Sequence, residues 1–337
     1  MYSSTVQFSL TIGDTIQLNY RGYTLKILVT GACGFIGTNL CISLLEDGHD
    51  VTGIDAFTAN YNRSIKRLNQ KDLEKFSNFN LIECDLLEVE LAPILGGKDL
   101  VFHLAGQPSV HNSWGEDFHV YSNRNIVLTQ KLLRAANEAK VARFINSSSS
   151  SIFGRVNSTP TKENDEKNPI SPYGVTKLAA ENLVTLYGSE LGLNTVSLRY
   201  FTVYGPRQRP DMAFNKLIKA SKNGERFPLH GDGSQIRDFT YVGDVVEANK
   251  LAAFASLKSG AVFNIGGGSP ISMKKAIEMI EEIMDRRIEI EFTPLGPGNP
   301  MVTTSDCSAA LTTFGWKPKI DIYDGLKAQV KWQLEQP

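Results

Sequence analysis

A tyrosine and a lysine lie four residues apart in the segment SPYGVTK, at Tyr173 and Lys177. If the segment is a helix, this spacing places both side chains on one face. A free tyrosine titrates near pH ~10 and is a poor base at neutral pH, but a neighbouring ammonium group favours the phenolate and makes it usable as a base. The same spacing also occurs in aromatic–cation pairs on exposed helices, so a proton-transfer role requires a bound reactant beside the pair.

Three glycines in the segment LKILVTGACGFIGTNL indicate what could bind there. Gly31, Gly34 and Gly37 have G-x-x-G-x-x-G spacing at a predicted strand-to-helix turn, where a pyrophosphate can approach bare backbone amides. A tight structural turn would show the same triplet. Asp55 ends the next predicted strand, where a carboxylate receives the hydroxyls of an adenosine ribose. Ala-Phe follows this acid instead of an arginine, which favours NAD over NADP.

Two further segments close the third and fourth predicted strands at the same edge. The segments CDL (84–86) and HLAG (103–106) end these strands where the adenine and the second ribose would lie. The ordered set predicts a bound dinucleotide. The cofactor-binding residues that we predict are Gly31, Gly34, Phe35, Ile36, Gly37, Asp55, Asp85, Leu86, Leu104, Ala105, Tyr173 and Lys177.

The elements that must position these residues alternate between strands and helices. The short apolar runs LKILVT, DVTGI, DLVFHLA, VARFINS and TVSLRYF are typical of buried parallel strands. Helical spacing lies between them, including at 124–139 and 173–191. The alternation predicts an α/β fold with a doubly wound parallel sheet. After Tyr204 turn clusters become frequent, which predicts a second, smaller α+β domain on the substrate side.

The domain boundaries follow from these patterns. Residues 1–24 precede the first predicted strand and lack the basic start and apolar run of a secretory signal, so we predict an extension there. We predict the dinucleotide-binding domain at 25–203, with a returning segment at about 240–266 that includes the strand GAVFNIG. Residues 204–239 and 267–337 form the predicted substrate domain.

Composition argues against several other classes of protein. The chain has 337 residues and a net charge of −1, which gives no electrostatic footprint for nucleic acid or an anionic membrane. No stretch approaches the ~20 apolar residues of a membrane span. Four cysteines without metal-ligand spacing indicate a reduced, intracellular protein, so we predict a cytoplasmic location and no metal.

Taken together, the segments resemble the extended short-chain dehydrogenase/reductases of the nucleotide-sugar epimerase/dehydratase group. The resemblance extends from Leu25 to the C-terminal region and also rests on RYFTVYGPRQRP (199–210) and GDGSQIRDFTYVGDV (231–245). It implies a Rossmann domain that binds NAD and a UDP-sugar substrate. It also implies homodimers that pair through two helices, at about 115–138 and 173–190.

A run of five serines, residues 147–151, follows the predicted strand VARFI. A serine run alone is typical of a linker, but a buried strand before it indicates the carboxyl end of a parallel strand, facing the cofactor crevice. The run ends in Ile-Phe-Gly, close to a family pattern. Aligned back from Gly154, the resemblance puts Ser149 in place of the catalytic Ser/Thr that hydrogen-bonds the sugar 4-hydroxyl and the oxygen of Tyr173.

The two residues after Ser149 indicate the reaction. Family members that dehydrate sugars have Asp-Glu here, and members that decarboxylate uronates usually keep the Glu. Ser150 and Ser151 have no useful acid/base range, so the resemblance implies 4-epimerisation. Tyr173 would remove the 4-hydroxyl proton while hydride leaves C4 for NAD, and the hydride would return to the other face of the 4-keto sugar.

Cationic and hydroxyl side chains define the predicted substrate site, which also includes Ser149. An anionic diphosphate requires cations; Arg237 matches the diphosphate arginine of the family, and Arg209 is a second candidate. Ser150, Ser151 and Thr202 could donate hydrogen bonds to a carboxylate at C5.

The predicted reaction is therefore UDP-glucuronate to UDP-galacturonate. The segments DAFTANYNRSIKR (55–67) and FTVYGPRQRPDMAF (201–214) resemble UDP-glucuronate 4-epimerases. Three residues depart from the family pattern: His111 stands where relatives often have Arg, and Gly296 and Asn299 stand where many have Arg shortly before Gly-Asp. The alternatives are a UDP-glucose or UDP-N-acetylglucosamine 4-epimerase, a UDP-sugar dehydratase or decarboxylase, and a non-catalytic dinucleotide-binding module.

Overall fold

A seven-stranded parallel sheet forms the centre of the protein. The computed structural model describes residues 23–156 and 159–336, together with the short strands β1 (Ser9–Leu10) and β2 (Thr15–Gln17). The sheet consists of β3 (Lys26–Thr30), β4 (Asp50–Asp55), β5 (Phe79–Glu83), β6 (Leu100–His103), β7 (Arg143–Ser149), β8 (Thr195–Tyr200) and β14 (Ala261–Ile265). The strand order is β14-β8-β7-β6-β3-β4-β5, and every neighbouring pair is parallel. The predicted doubly wound sheet is confirmed.

Helices cover both faces of this sheet and form much of the C-terminal region. The helices are α1 (Phe35–Glu46), α2 (Arg63–Leu73), α3 (Ala92–Leu95), α4 (Phe118–Tyr121), α5 (Leu128–Glu138), α6 (Pro172–Leu191), α7 (Ala213–Asn223), α8 (Val242–Phe254), α9 (Met273–Met284), α10 (Ser308–Phe314) and α11 (Ile322–Glu335). Two short 3₁₀ turns, His111–Trp114 and Ser150–Ile152, and a π-helical turn, Ser122–Val127, complete the set. None of the helices in the described ranges is long and apolar enough to cross a membrane.

Successive residues of a strand point to opposite faces, and both faces of this sheet are buried. On β3, Val29 packs with Leu40 of α1 and Val245 of α8 in one core. Its neighbour Leu28 packs with Leu132 of α5, and α6 contributes to the same second core. The apolar runs in these strand sequences therefore reflect a sheet that is covered by helices on each side.

Helix α6 carries Tyr173 and Lys177 and has well-defined ends. It begins after Ser171, whose hydroxyl accepts a hydrogen bond from the amide of Gly174 at 3.1 Å, and Pro172 occupies the first helical position. It ends at Gly192, whose φ of +72° suits glycine. These ends fix the helix so that the Tyr173 and Lys177 side chains lie next to the end of β7.

The remaining strands are short. They are β9 (Val203–Tyr204), β10 (Phe227–His230), β11 (Ile236–Arg237), β12 (Thr240–Tyr241), β13 (Leu257–Lys258), β15 (Ile271–Ser272), β16 (Ile290–Thr293) and β17 (Val302–Thr303). Helices α7, α9 and α11 pack beside them around a third core that includes Phe214, Ile280 and Leu326. Strand β2 pairs with β13, so the predicted N-terminal extension joins the fold at this point; most of 1–24 lies outside the described residues.

A buried ion pair between Arg199 and Glu181 contacts the serine run, residues 147–151. The guanidinium of Arg199 on β8 donates to both carboxylate oxygens of Glu181 on α6, at 2.9 and 2.7 Å. The hydroxyl of Ser148 donates to the same carboxylate at 2.6 Å. Both charged side chains are almost fully buried, so removal of one would leave the other without its counter-charge.

We predict that Glu181→Ala lowers the free energy of unfolding by roughly 3–5 kcal/mol, because Arg199 becomes an uncompensated buried charge. Denaturant unfolding measures this change. The matched control is Glu190→Ala on the same helix, where the side chain is exposed and the expected change is within about 0.5 kcal/mol. Equal effects of the two substitutions would contradict this role of the pair.

Candidate active site

The turn between β3 and α1 requires glycine at two positions. Gly31 has φ of +71°, and a Cβ there would lie 3.0 Å from the amide nitrogen of Ala105. A Cβ on Gly37 would lie 2.1 Å from the carbonyl oxygen of Gly31. The missing side chains allow the start of α1 to reach the edge of the sheet, where its free amides face outward.

A first cleft opens at this edge, and the ten predicted cofactor residues outside α6 all line it. These are Gly31, Gly34, Phe35, Ile36, Gly37, Asp55, Asp85, Leu86, Leu104 and Ala105. They come from four different strand ends, so the structure brings together residues that are up to 74 positions apart in the chain (31 to 105). Tyr173 and Lys177 do not line this cleft; they line its neighbour.

Asp55 is buried at the floor of the first cleft and makes three hydrogen bonds. It accepts from the amides of Cys33 at 3.1 Å and Phe57 at 2.8 Å, and from the ammonium of Lys66 at 2.8 Å. A carboxylate offers about four acceptor sites, so one remains for a ribose hydroxyl. The sequence shows Ala-Phe instead of an arginine directly after Asp55, and the fold adds two cations from α2: Lys66 binds Asp55, and Arg67 lies over the ring of Phe57.

Arg124 is a second basic residue of the first cleft that the motifs did not indicate. It lies in the π-helical turn, and its guanidinium donates to Asp85 at 2.8 Å. Lys66 and Arg124 are 11 and 39 residues from the acids that they contact. Neither separation along the sequence corresponds to a helix or strand period, so these two ion pairs become visible only in the folded structure.

A second cleft adjoins the first and contains the predicted catalytic residues. Its lining includes Ser149, Ser150, Ser151, Tyr173, Lys177, Thr202 and Arg209. The two clefts share Phe35, Ile36, Leu104, Ser147 and Arg209 among their walls. A dinucleotide in the first cleft would therefore border directly on a molecule in the second.

Burial has the largest effect on the pKa of Tyr173, the tyrosine of the second cleft. It raises the pKa of Tyr173, while a hydrogen bond with Ser149 and the positive charge of Arg209 act in the opposite direction. Burial also lowers the pKa of Lys177 to about 8, partly offset by Glu181. The ammonium of Lys177 donates to the carbonyl oxygen of Ser147. Arg209 therefore lines both clefts and also lowers the pKa of Tyr173.

Arg237 lines a third cleft, next to the second, together with Ser150, Ser151, Thr202 and Asn299. Its guanidinium donates to backbone carbonyls, including that of Ile236 at 2.9 Å, and burial lowers its pKa. Within residues 23–156 and 159–336, no carboxylate forms an ion pair with it. The other predicted substrate arginine, Arg209, is bound by both carboxylate oxygens of Asp211.

The three departures from the family pattern lie together. Asn299 Nδ2 is 3.5 Å from His111 Nε2, and a Cβ on Gly296 would lie 3.4 Å from His111 Nδ1. The ring of His230, which the sequence patterns did not single out, is centred 5.3 Å from that of His111. Burial, His230 and Lys216 lower the pKa of His111. The departures therefore form one neutral polar cluster beside the third cleft.

Searches against known proteins agree on one family. The model of the NAD dependent epimerase/dehydratase family matches residues 27–266. A Bacillus subtilis protein named "Uncharacterized UDP-glucose epimerase YtcB" is 41% identical over 309 residues, which are 91% of this chain and 98% of that relative. A UDP-glucuronate 4-epimerase from Thermodesulfobacterium geofontis is 35% identical over an alignment of 316 residues, and the match covers 91% of this chain and 96% of that relative.

A solved structure shows the same fold. The crystal structure of UDP-glucuronic acid 4-epimerase from Bacillus cereus, in complex with UDP-glucuronic acid and NAD, superposes with a TM-score of 0.89 at 41% identity. The match covers 92% of this chain and 99% of that one. Because the family model spans most of the chain and these relatives align over nearly its whole length, the protein is a member of the NAD-dependent epimerase/dehydratase family.

Proposed function

We propose that the protein is an NAD-dependent UDP-sugar 4-epimerase that interconverts UDP-glucuronate and UDP-galacturonate. One observation carries the reaction type. Ser149, Tyr173 and Lys177 converge in the second cleft, whose described lining contains no Asp or Glu. A site that holds a base for C4 chemistry, without a carboxylate for elimination, suits oxidation and reduction at C4 better than dehydration.

The first cleft fits NAD. The glycine turn leaves room for a pyrophosphate at the start of α1, and Asp55 keeps an acceptor site for the adenosine ribose. Gly31, Gly34 and Gly37 would contact the pyrophosphate. When bound, NAD supplies the acceptor and donor of the hydride at C4 of the sugar.

In the second cleft the side chains of the protein move the proton. Tyr173 as phenolate accepts the proton of the sugar 4-hydroxyl and later returns it. The hydroxyl of Ser149 hydrogen-bonds Tyr173 and lowers its pKa, which favours the phenolate against the effect of burial. Lys177 and Arg209 are the cationic side chains in the described lining of this cleft, and the charge of Arg209 also lowers the pKa of Tyr173.

Hydroxyl donors favour a uronate as the sugar. Ser150, Ser151 and Thr202 line both the second and the third cleft and could hold a C5 carboxylate by hydrogen bonds. The 4-keto form of a uronate is a β-keto acid, and it loses CO₂ when the carboxylate bond aligns with the ketone. Donors that hold the carboxylate out of this alignment would protect the intermediate. Arg237 has no acidic partner in the described chain and would bind the diphosphate.

A neutral UDP-hexose is the second candidate, and one relative is named a UDP-glucose epimerase. His111 favours this candidate because it stands where relatives often have Arg, so a cationic contact with a uronate is missing. Gly296 and Asn299 concern a second contact with the diphosphate, which both candidates carry. A decarboxylase or dehydratase is disfavoured by the lack of carboxylates in the second cleft. A non-catalytic binding module is disfavoured by the juxtaposition of Ser149 and Tyr173.

We also propose a homodimer that pairs through α5 and α6. The two helices pack against each other. Large apolar side chains are exposed on α6, at Val175, Leu186 and Leu191, and on the π-helical turn before α5, at Val127. Exposed apolar residues that share a surface are typical of protein–protein contacts. A cytoplasmic location, with NAD and UDP-sugars as its small-molecule partners, accords with four free cysteines in the described chain.

We predict that Tyr173→Phe lowers turnover by roughly 10²–10⁴-fold, because the base is lost. The wild-type rate should rise with pH as the phenolate forms, and this rise should disappear in the variant. Binding of NAD and UDP-sugar should persist, since the phenyl ring retains its edge contact with Tyr121, 6.5 Å between ring centres. Tyr121→Phe is the matched control, expected within about threefold of wild type. A Tyr173→Phe enzyme with wild-type turnover would exclude Tyr173 as the base.

The substrate assignment predicts a higher kcat/KM for UDP-glucuronate than for UDP-glucose or UDP-N-acetylglucosamine. The reason is the set of hydroxyl donors, which a carboxylate uses better than a hydroxymethyl group does. NMR of each reaction at equal substrate concentration measures the rates and identifies the product. A higher kcat/KM for either neutral sugar, or a UDP-pentose as main product of the uronate, would refute the assignment.

A further inference from the structure

Residues 205–211 form most of the loop between β9 and α7, and this loop contributes Arg209 to the wall that the first and second clefts share. Arg209, near its end, lines both clefts and acts on the ionisation of both Tyr61 and Tyr173. Tyr61 lies in the segment that leads into α2. A shift of this loop would therefore move Arg209 in the first and the second cleft together, so the contacts that hold the loop bear on both sites.

Arg207 makes a side-chain contact from this loop to the dinucleotide side of the protein. Its guanidinium is 2.6 Å from the carboxylate of Asp72 at the end of α2 and lies over the ring of Trp332 in α11, 5.8 Å from the ring centre. The Arg207 backbone has φ of +69°, in the left-handed region that disfavours residues other than glycine. An arginine kept in this conformation indicates that its side-chain contacts offset the backbone strain.

Backbone contacts anchor the same loop at its start. The carbonyl oxygen of Pro206 accepts a hydrogen bond from Asn39 of α1 at 3.2 Å, and the amide of Gly205 donates to Gln329 of α11 at 2.8 Å. These bonds hold residues 205 and 206, and hydrogen bonds of Gln208 with β9, α7 and α11 hold the middle of the loop. The contact of this loop with α2 is made by Arg207. Helix α2 also supplies Lys66, which binds Asp55 at the floor of the first cleft.

We propose that Arg207 is a positioning residue that couples the two clefts. Through Asp72 it fixes the 205–211 loop to α2, the helix that completes the ribose site, and so holds Arg209 in place as the shared wall. NAD retention and UDP-sugar affinity then both depend on the Arg207–Asp72 pair. The sugar part of this inference rests on the proposed function, and the NAD part does not.

The test compares Arg207→Ala and the isosteric Asp72→Asn with Lys75→Ala. Lys75 is the other cation bound to Asp72, at 2.7 Å, and it lies on the exposed side. Each of the first two variants should raise KM for the UDP-sugar by roughly tenfold, the effect of one lost charge-assisted contact of about 1.4 kcal/mol. Each should also release NAD severalfold faster from substrate-free protein. The kcat should stay within about threefold, and Lys75→Ala should match the wild type in all three quantities.

A charge swap distinguishes positioning from general stabilisation. Asp72→Arg combined with Arg207→Asp should recover KM and NAD retention toward the wild type, relative to either single change. Unchanged KM and NAD release in Arg207→Ala, or a swap as defective as its single variants, would overturn the proposal. If no UDP-sugar is turned over, the proposed function fails, while the rate of NAD release still decides the role of Arg207.

Discussion

The parallel register of the central sheet is the constraint on which both clefts depend. Thr30 on β3 pairs with Ile54 on β4 and with His103 on β6, and His103 pairs with Asn146 on β7. Because these four residues form one row across the sheet, the chain leaves every strand at the same edge. The residues that follow this row are Gly31, Asp55, Leu104 and Ser147. Gly31 begins the glycine turn and Asp55 is the predicted ribose acid. Leu104 follows β6, the fourth strand of the sheet in chain order, and Ser147 begins the serine run.

Buried side-chain hydrogen bonds connect residues of this row to each other and to α5. His103 contacts the hydroxyls of Thr30 at 2.9 Å and Thr129 at 3.0 Å. Burial and the charge of Lys177 lower the pKa of His103 to about 3, so it remains neutral at ordinary pH. A neutral histidine can donate on one side and accept on the other, which satisfies both hydroxyls without placing a second positive charge beneath the site.

The sequence predicted those parts of the site that local patterns encode. The strands, the glycine turn and the Tyr173–Lys177 helix depend on spacing within about ten residues, and the structure shows all three. Contacts between distant segments were missed: Lys66 on Asp55, Arg124 on Asp85 and the charge of Arg209 on Tyr173. No periodicity marks such contacts, because they arise only when separate strand ends meet at one edge.

Electrostatics also explains why the site suits an anionic nucleotide sugar. Buried or half-buried cations in the clefts are partly unmatched: Arg237 binds backbone carbonyls, and Lys177 binds the carbonyl of Ser147. Desolvation lowers the pKa of each cation, so a bound anion would stabilise the charged form. The cations of the clefts therefore favour an anionic ligand, while the charge that lowers the pKa of Tyr173 is that of Arg209.

The most direct measurement follows the hydrogen at C4 of the sugar. UDP-glucuronate that carries deuterium at C4 is incubated with the protein in ordinary water, and the product is examined by NMR and mass spectrometry. If hydrogen leaves C4 and returns to the same carbon inside the closed site, UDP-galacturonate forms with its deuterium retained at C4. Loss of the deuterium to solvent, or inversion at another carbon, would contradict the proposed reaction.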